Sequence, residues 1–272
     1  MYQKSVPTSV ALCPHPAMEA EIAGVCFVQL FPTHFNMKNT IRKKIIFLII
    51  IFASPVKGIV AQTSEIAGWF FLSHSQKLVK KWSYMTDIQL RSSPDFKYLQ
   101  NILLRPGLLY KITDNHSVGI GYTYFASWDN NKSPHTFDPE NRIFEQYTLE
   151  LELGRLMLNN RFRLEQRFIQ KTGENVFAQR FRHQVQAKFR LNSDTAFKKG
   201  WYLKLQNEIF LNIQNKENTN NNFFDQNRPY IALGYRFTKK IETEIGYYHR
   251  YQLQEDSRKK DPVIQLMVIT DL

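Results

Sequence analysis

From Glu65 onward, polar and apolar residues alternate with a period of two, and no stripe recurs at helical spacing. In Arg161–Phe168, Arg161, Arg163, Glu165 and Arg167 fall on one face, against Phe162, Leu164, Gln166 and Phe168 on the other. Arg180–Leu191 sets Arg180, Arg182, Gln184, Gln186, Lys188 and Arg190 against Phe181, His183, Val185, Ala187, Phe189 and Leu191. Trp201–Ile213 and Arg142–Leu153 repeat the pattern. It predicts strands over 65–73, 82–91, 99–112, 117–128, 142–153, 161–171, 178–191, 201–213, 228–237, 241–251 and 263–272. These are longer than the roughly 5 or 6 residues usual in soluble sheets, and close to the roughly 9 to 11 that a tilted strand needs to cross a bilayer. A closed sheet pairs every backbone donor and acceptor without leaving an edge in hydrocarbon.

The expected fold is therefore all-β, an antiparallel up-and-down transmembrane β-barrel. Bacterial single-chain barrels have even strand numbers. Starting the closed sheet near Trp82 gives ten strands and leaves 65–73 outside it, with twelve as the alternative. Short links are expected at Thr113–His116, Gly154–Asn160 and Thr238–Lys240. Longer polar ones are expected at Asp129–Asn141, Gln214–Asn227 and Gln252–Pro262, an alternation matching tight periplasmic turns and larger external loops. Tyr122, Tyr124, Trp128, Tyr147, Trp201, Tyr235 and Tyr247 read as interfacial girdles rather than a ligand platform.

The segment before the strands changes the meaning of the charge. The 272-residue chain carries +12 overall, which by itself suggests nucleic acid. Residues 37–61 hold five Lys or Arg and no acid, and 62–272 holds 30 Lys or Arg against 22 Asp or Glu. Met37–Lys44 reads as a basic n-region, Ile45–Ala53 as an apolar core too short to span a bilayer, and Ile59-Val60-Ala61 as a cleavage site. The expected organisation is a doubtful extension over 1–36 with translation starting at Met37, a signal peptide over 37–61, and a barrel over 62–272. Both cysteines, Cys13 and Cys26, precede the barrel, so its stability comes from pairing and packing rather than disulfides. Export and the opposite placement of Arg and Phe argue against RNA, since the two cannot share a stacking platform.

With apolar side chains outward, the candidate lumen residues are Glu150, Glu152, Arg163, Glu165, Arg167, Arg180, Arg182, Lys188, Lys204, Glu208, Arg236, Glu242 and Glu244. Neighbouring strands let acids and bases pair across the ladder, filling a narrow interior. The basic excess on this face also suits a narrow passage or pocket for an anionic solute. No catalytic, metal-ligating or cofactor-binding residue is assigned. His74, His116, His135, His183 and His249 lack zinc spacing, and no nucleophile elbow, Walker loop or GxGxxG motif occurs. The expected function is that of a small outer-membrane barrel, structural or handling a solute or lipid through a narrow charged lumen; a soluble periplasmic ligand-binding barrel and an outer-membrane lipid-modifying enzyme are the alternative readings.

Arg163-Leu164-Glu165-Gln166-Arg167-Phe168, Asn207-Glu208-Ile209-Phe210 and Phe224-Asp225-Gln226-Asn227-Arg228, followed by Gly234-Tyr235 and Gly246-Tyr247, resemble an uncharacterised Gram-negative family, domain of unknown function 2490. The resemblance spans the strand region. It implies an outer-membrane-type barrel with no established activity, so no catalytic residues are carried over. The partners expected are outer-membrane lipids and the barrel-assembly machinery, with no cofactor, no nucleic acid and no assigned oligomeric state. The chain ends in Leu272 rather than the aromatic common among such barrels, although Ile264, Leu266, Val268, Thr270 and Leu272 keep the alternation.

Overall fold

The computed structural model describes residues 66–129, 136–171, 173–191, 197–255 and 257–272. The expected extension and signal peptide lie outside them. The period-two pattern resolves into eleven strands: β1 (Ala67–Lys77), β2 (Trp82–Pro94), β3 (Leu99–Lys111), β4 (His116–Asp129), β5 (Thr136–Leu153), β6 (Leu156–Lys171), β7 (Glu174–Arg190), β8 (Gly200–Gln214), β9 (Phe224–Thr238), β10 (Ile241–Leu253) and β11 (Arg258–Asp271). Each expected segment is present, several of them extended. The polar stretch before Arg142 is strand rather than loop, because Ser127↔Asp138 and Asp129↔Thr136 continue the β4–β5 ladder. Arg258–Pro262 likewise pairs with β10. Polarity on both faces made these ends read as loops, yet the backbone ladder continues regardless of side chain.

The sheet closes into a barrel of eleven strands, which corrects the expected ten. Every sequential pair is antiparallel, and β1 closes the sheet by running parallel to β11, from Ala67↔Val263 to Ser75↔Asp271. An even number is required only when the first and last strands meet antiparallel. The β1–β2, β3–β4, β5–β6, β7–β8 and β9–β10 connections share one rim with Leu272, here the C-terminal rim. The other connections share the N-terminal rim with Ile66. The six links named from the sequence keep their order, two to four residues at 112–115, 154–155 and 239–240 against four to nine at 130–135, 215–223 and 254–257, but the connection over 191–199 on the C-terminal rim is as long as that over 215–223 on the other. Tight turns use Gly154 (φ 64°) on the C-terminal rim and Gly173 (φ 87°) on the N-terminal rim, where a side chain would strain the backbone.

Outward faces are apolar, with Ile120, Ile143, Leu205, Ile231, Leu233, Ile245 and Leu266 all exposed. Aromatic pairs bound this band at both ends. Trp82–Tyr110 (5.0 Å between centroids) and Trp201–Tyr235 (4.9 Å) lie toward the C-terminal rim, and Trp128–Phe137 (5.3 Å) and Phe168–Phe177 (5.5 Å) toward the other.

Inward, large rings pack over glycines on the neighbouring strand. Tyr202 pairs with Gly234, where a Cβ would stand 2.2 Å from the ring; Phe144 fills the space beside Gly121 in the same way. Tyr202 is fully buried and its hydroxyl donates to Glu244 at 3.0 Å. Gly234→Ala must therefore push the ring off that carboxylate, an overpacking expected to cost about 1–3 kcal/mol. Gel mobility of unboiled samples over a temperature series checks this; an unchanged unfolding temperature would mean that the ring relocates freely.

Candidate functional site

The interior carries several clusters of ion pairs, because inward-facing acids and bases meet both across adjacent strands and between strands further apart in the barrel. Glu165 pairs directly with Arg180 in register, and Arg163 with Arg182. The Glu165 carboxylate is fully buried and accepts from Arg180 Nη2 at 2.7 Å and Arg182 Nη1 at 2.5 Å. Arg182 also donates to Glu208 at 2.6 Å, which Arg161 reaches at 2.8 Å, and Arg180 bonds Asp225 at 2.9 Å. Arg167 and Arg142 share Glu140, at 2.6 and 2.7 Å.

A second group lies toward the C-terminal rim. Lys188 meets Glu242 at 2.8 Å, Arg236 pairs with the same carboxylate, and Lys204 meets Glu244 at 2.8 Å. Glu150 and Glu152 stay apart from both groups. Glu150 accepts from Asn159 at 2.8 Å, while Glu152 is 64% exposed at the rim beside Arg190. Arg163 is buried without a carboxylate among the described residues. It donates to Gln146 at 2.6 Å, lies 4.1 Å above Phe144, and leaves Nη1 unbonded.

The structure adds lumen residues that the charge-dense segments did not reveal. Arg91, Arg105, Arg142, Arg228 and Arg250 also face inward, with Asp87, Glu140, Asp225 and Asp261. Carrying the period two through Asp87-Ile88-Gln89-Leu90-Arg91 would have found Arg91. A lone arginine in an apolar strand gives little charge signal. Trp69 escaped because its strand was expected outside the closed sheet.

Two of the cavities among the described residues lie between these side chains. One of about 380 Å³ reaches His74, Glu150 and Gln265; the other, of about 170 Å³, reaches Asn101, Arg142 and Gln252 toward the N-terminal rim. Arg91, Arg105, Arg182 and Arg228 line both, so they form the partition between them. Arg105 is neutralised by Asp87 at 2.6 Å and Arg182 by two glutamates. Arg91 and Arg228 have only amide partners among the described residues: Gln89 (2.5 Å) and Gln226 (2.9 Å). Both guanidinium groups lie over Trp69, at 4.0 and 5.5 Å from the ring centroid. The partition carries more positive than negative charge.

Fold and interior together define an all-β closed barrel with an arginine-rich lumen. The chain belongs to the family described as Protein of unknown function (DUF2490), which matches over residues 66–260. No curated protein and no solved structure matches it.

Proposed function

We propose that this chain is a small outer-membrane β-barrel whose lumen handles small anionic solutes across an arginine partition. The observation that carries the reading is the set of four arginines common to both cavities, two of them lacking a carboxylate. Guanidinium groups freed from acidic partners present forked donors suited to carboxylates and phosphates. The exposed apolar band with aromatic pairs at both ends suits a hydrocarbon layer between two headgroup regions. On this reading the partners are outer-membrane lipids and, during biogenesis, the barrel-assembly machinery. The role is solute handling rather than catalysis.

A narrow interior crowded with side chains excludes the wide diffusion of a porin, whose barrel has roughly 16–18 strands. Small unitary currents are expected from the refolded barrel in planar bilayers, with a reversal potential under a KCl gradient that favours chloride. A folded barrel that stays silent, or one that prefers potassium, would overturn the passage.

A further inference from the structure

Burying a cation without a counter-charge is costly, and a barrel interior crowded with arginines makes it costlier. Arg91 is 7% exposed, and the like charges of Arg228, Arg105, Arg250 and Arg142 all act on it. Its polar partner among the described residues, Gln89, lies two residues away on the same strand. Arg228 has Glu208 nearby, but Glu208 Oε1 already accepts from Arg161 and Arg182. Arg250, the third cation beside Trp69, is neutralised by Asp261. Two guanidinium groups therefore stand without a carboxylate of their own, on the boundary between the two cavities. Trp69 and Tyr248, with rings 5.6 Å apart, form the wall that holds them.

We propose that Arg91 and Arg228 form a binding site for a compact phosphate-type dianion, either inorganic phosphate or the phosphate group of a small monoester. This deepens the reading of the lumen as anion-handling and rests on it. The charge of the ligand matches the two unneutralised guanidinium groups. Their common position over one indole favours a single small tetrahedral head over two separated carboxylates. Arg105 and Arg182, also on the boundary, are held by their own acids and shape the site rather than supply its net charge. The Trp69 ring restrains the planar forks, reducing the ordering needed when the anion arrives.

Calorimetric titration of the refolded full barrel in zwitterionic detergent, at fixed ionic strength, tests the site with phosphate, glycerol 3-phosphate, succinate and chloride. Phosphate binding to one site is expected, with Arg91→Gln and Arg228→Gln each weakening it on the order of 10-fold or more. Glycerol 3-phosphate binding more tightly than phosphate would identify the ligand as a monoester; the reverse order would identify inorganic phosphate. Succinate binding as well as either would overturn the phosphate assignment, and no saturable binding would overturn the site.

Thermal unfolding separates ligand binding from a merely structural role. Phosphate is expected to raise the wild-type unfolding temperature and not that of Arg91→Gln. Without phosphate, Arg91→Gln is expected to be at least as stable as wild type, since it relieves like-charge repulsion. A less stable variant, beside a wild type indifferent to phosphate, would show that Arg91 only packs. Chloride-selective currents from a barrel that does not bind phosphate would remove this site and keep the passage. Phosphate binding by an electrically silent barrel would remove the passage and keep the site.

Discussion

Glu165→Gln is expected to be the most damaging single charge change in the barrel, at about 3–5 kcal/mol. Its carboxylate is fully buried and holds Arg180 and Arg182 together, each of which has one other acidic partner among the described residues. Removing it leaves two guanidinium groups pressed together with one of their three carboxylates gone. Glu152→Gln provides the contrast. Glu152 pairs with Arg190 at 2.5 Å but is 64% exposed, and such pairs contribute about 0–1 kcal/mol. Urea unfolding of both variants in the same detergent checks the order. Adding Arg182→Gln to Glu165→Gln should recover part of the loss, because the surplus cation goes with it. Equal stability of the two single variants would mean that the buried network contributes little to folding.

Ile245→Arg separates a lipid-facing surface from a water-facing one. Ile245 is 59% exposed, two residues from the central Tyr247 of β10 and between Leu233 and Leu266, which are exposed as well. In a bilayer an arginine at this depth is expected to cost about 2–4 kcal/mol, while Ile241→Arg at the C-terminal rim costs about 0–1 kcal/mol. On a solvated surface both changes would stay within about 0.5 kcal/mol. Refolding into liposomes against a urea series reads the difference. Two neutral substitutions would end the membrane reading and leave a soluble barrel binding its ligand within.

The strands were legible where charge and apolar residues alternate densely. Arg161–Phe168 and Arg180–Leu191 assign inner and outer faces without ambiguity, and the two segments indeed pair through Glu165↔Arg180 and Phe162↔His183. Pairing between neighbouring strands holds for Glu165 with Arg180 and Arg182, whereas Lys188–Glu242 and Lys204–Glu244 join strands that are not neighbours, which strand order alone does not reveal. What could not be read was closure. Nothing in Ala67–Lys77 distinguishes a parallel partner at β11 from none, because strand direction at the seam depends on the number of preceding turns. The error over one strand hid Trp69, and with it the place where Arg91, Arg228 and Arg250 converge. The ends of β5 and β11 were missed for a different reason. Asp138, Glu140, Lys259 and Asp261 carry no apolar marker, although their backbones are paired.

The parallel seam links two segments that stand at opposite ends of the strand order in sequence. Until Ala67–Ser75 meets Val263–Asp271, the sheet is an open trough, with β2 bearing Arg91 on one flank and β10 bearing Arg250 on the other. Zipping the seam brings those flanks together and sets the Trp69 indole among their guanidinium groups. Closing the seam thus works against electrostatic repulsion that the indole and Asp261 only partly relieve. On the proposed reading, a multivalent anion bound between those guanidinium groups would relieve the repulsion and favour closure.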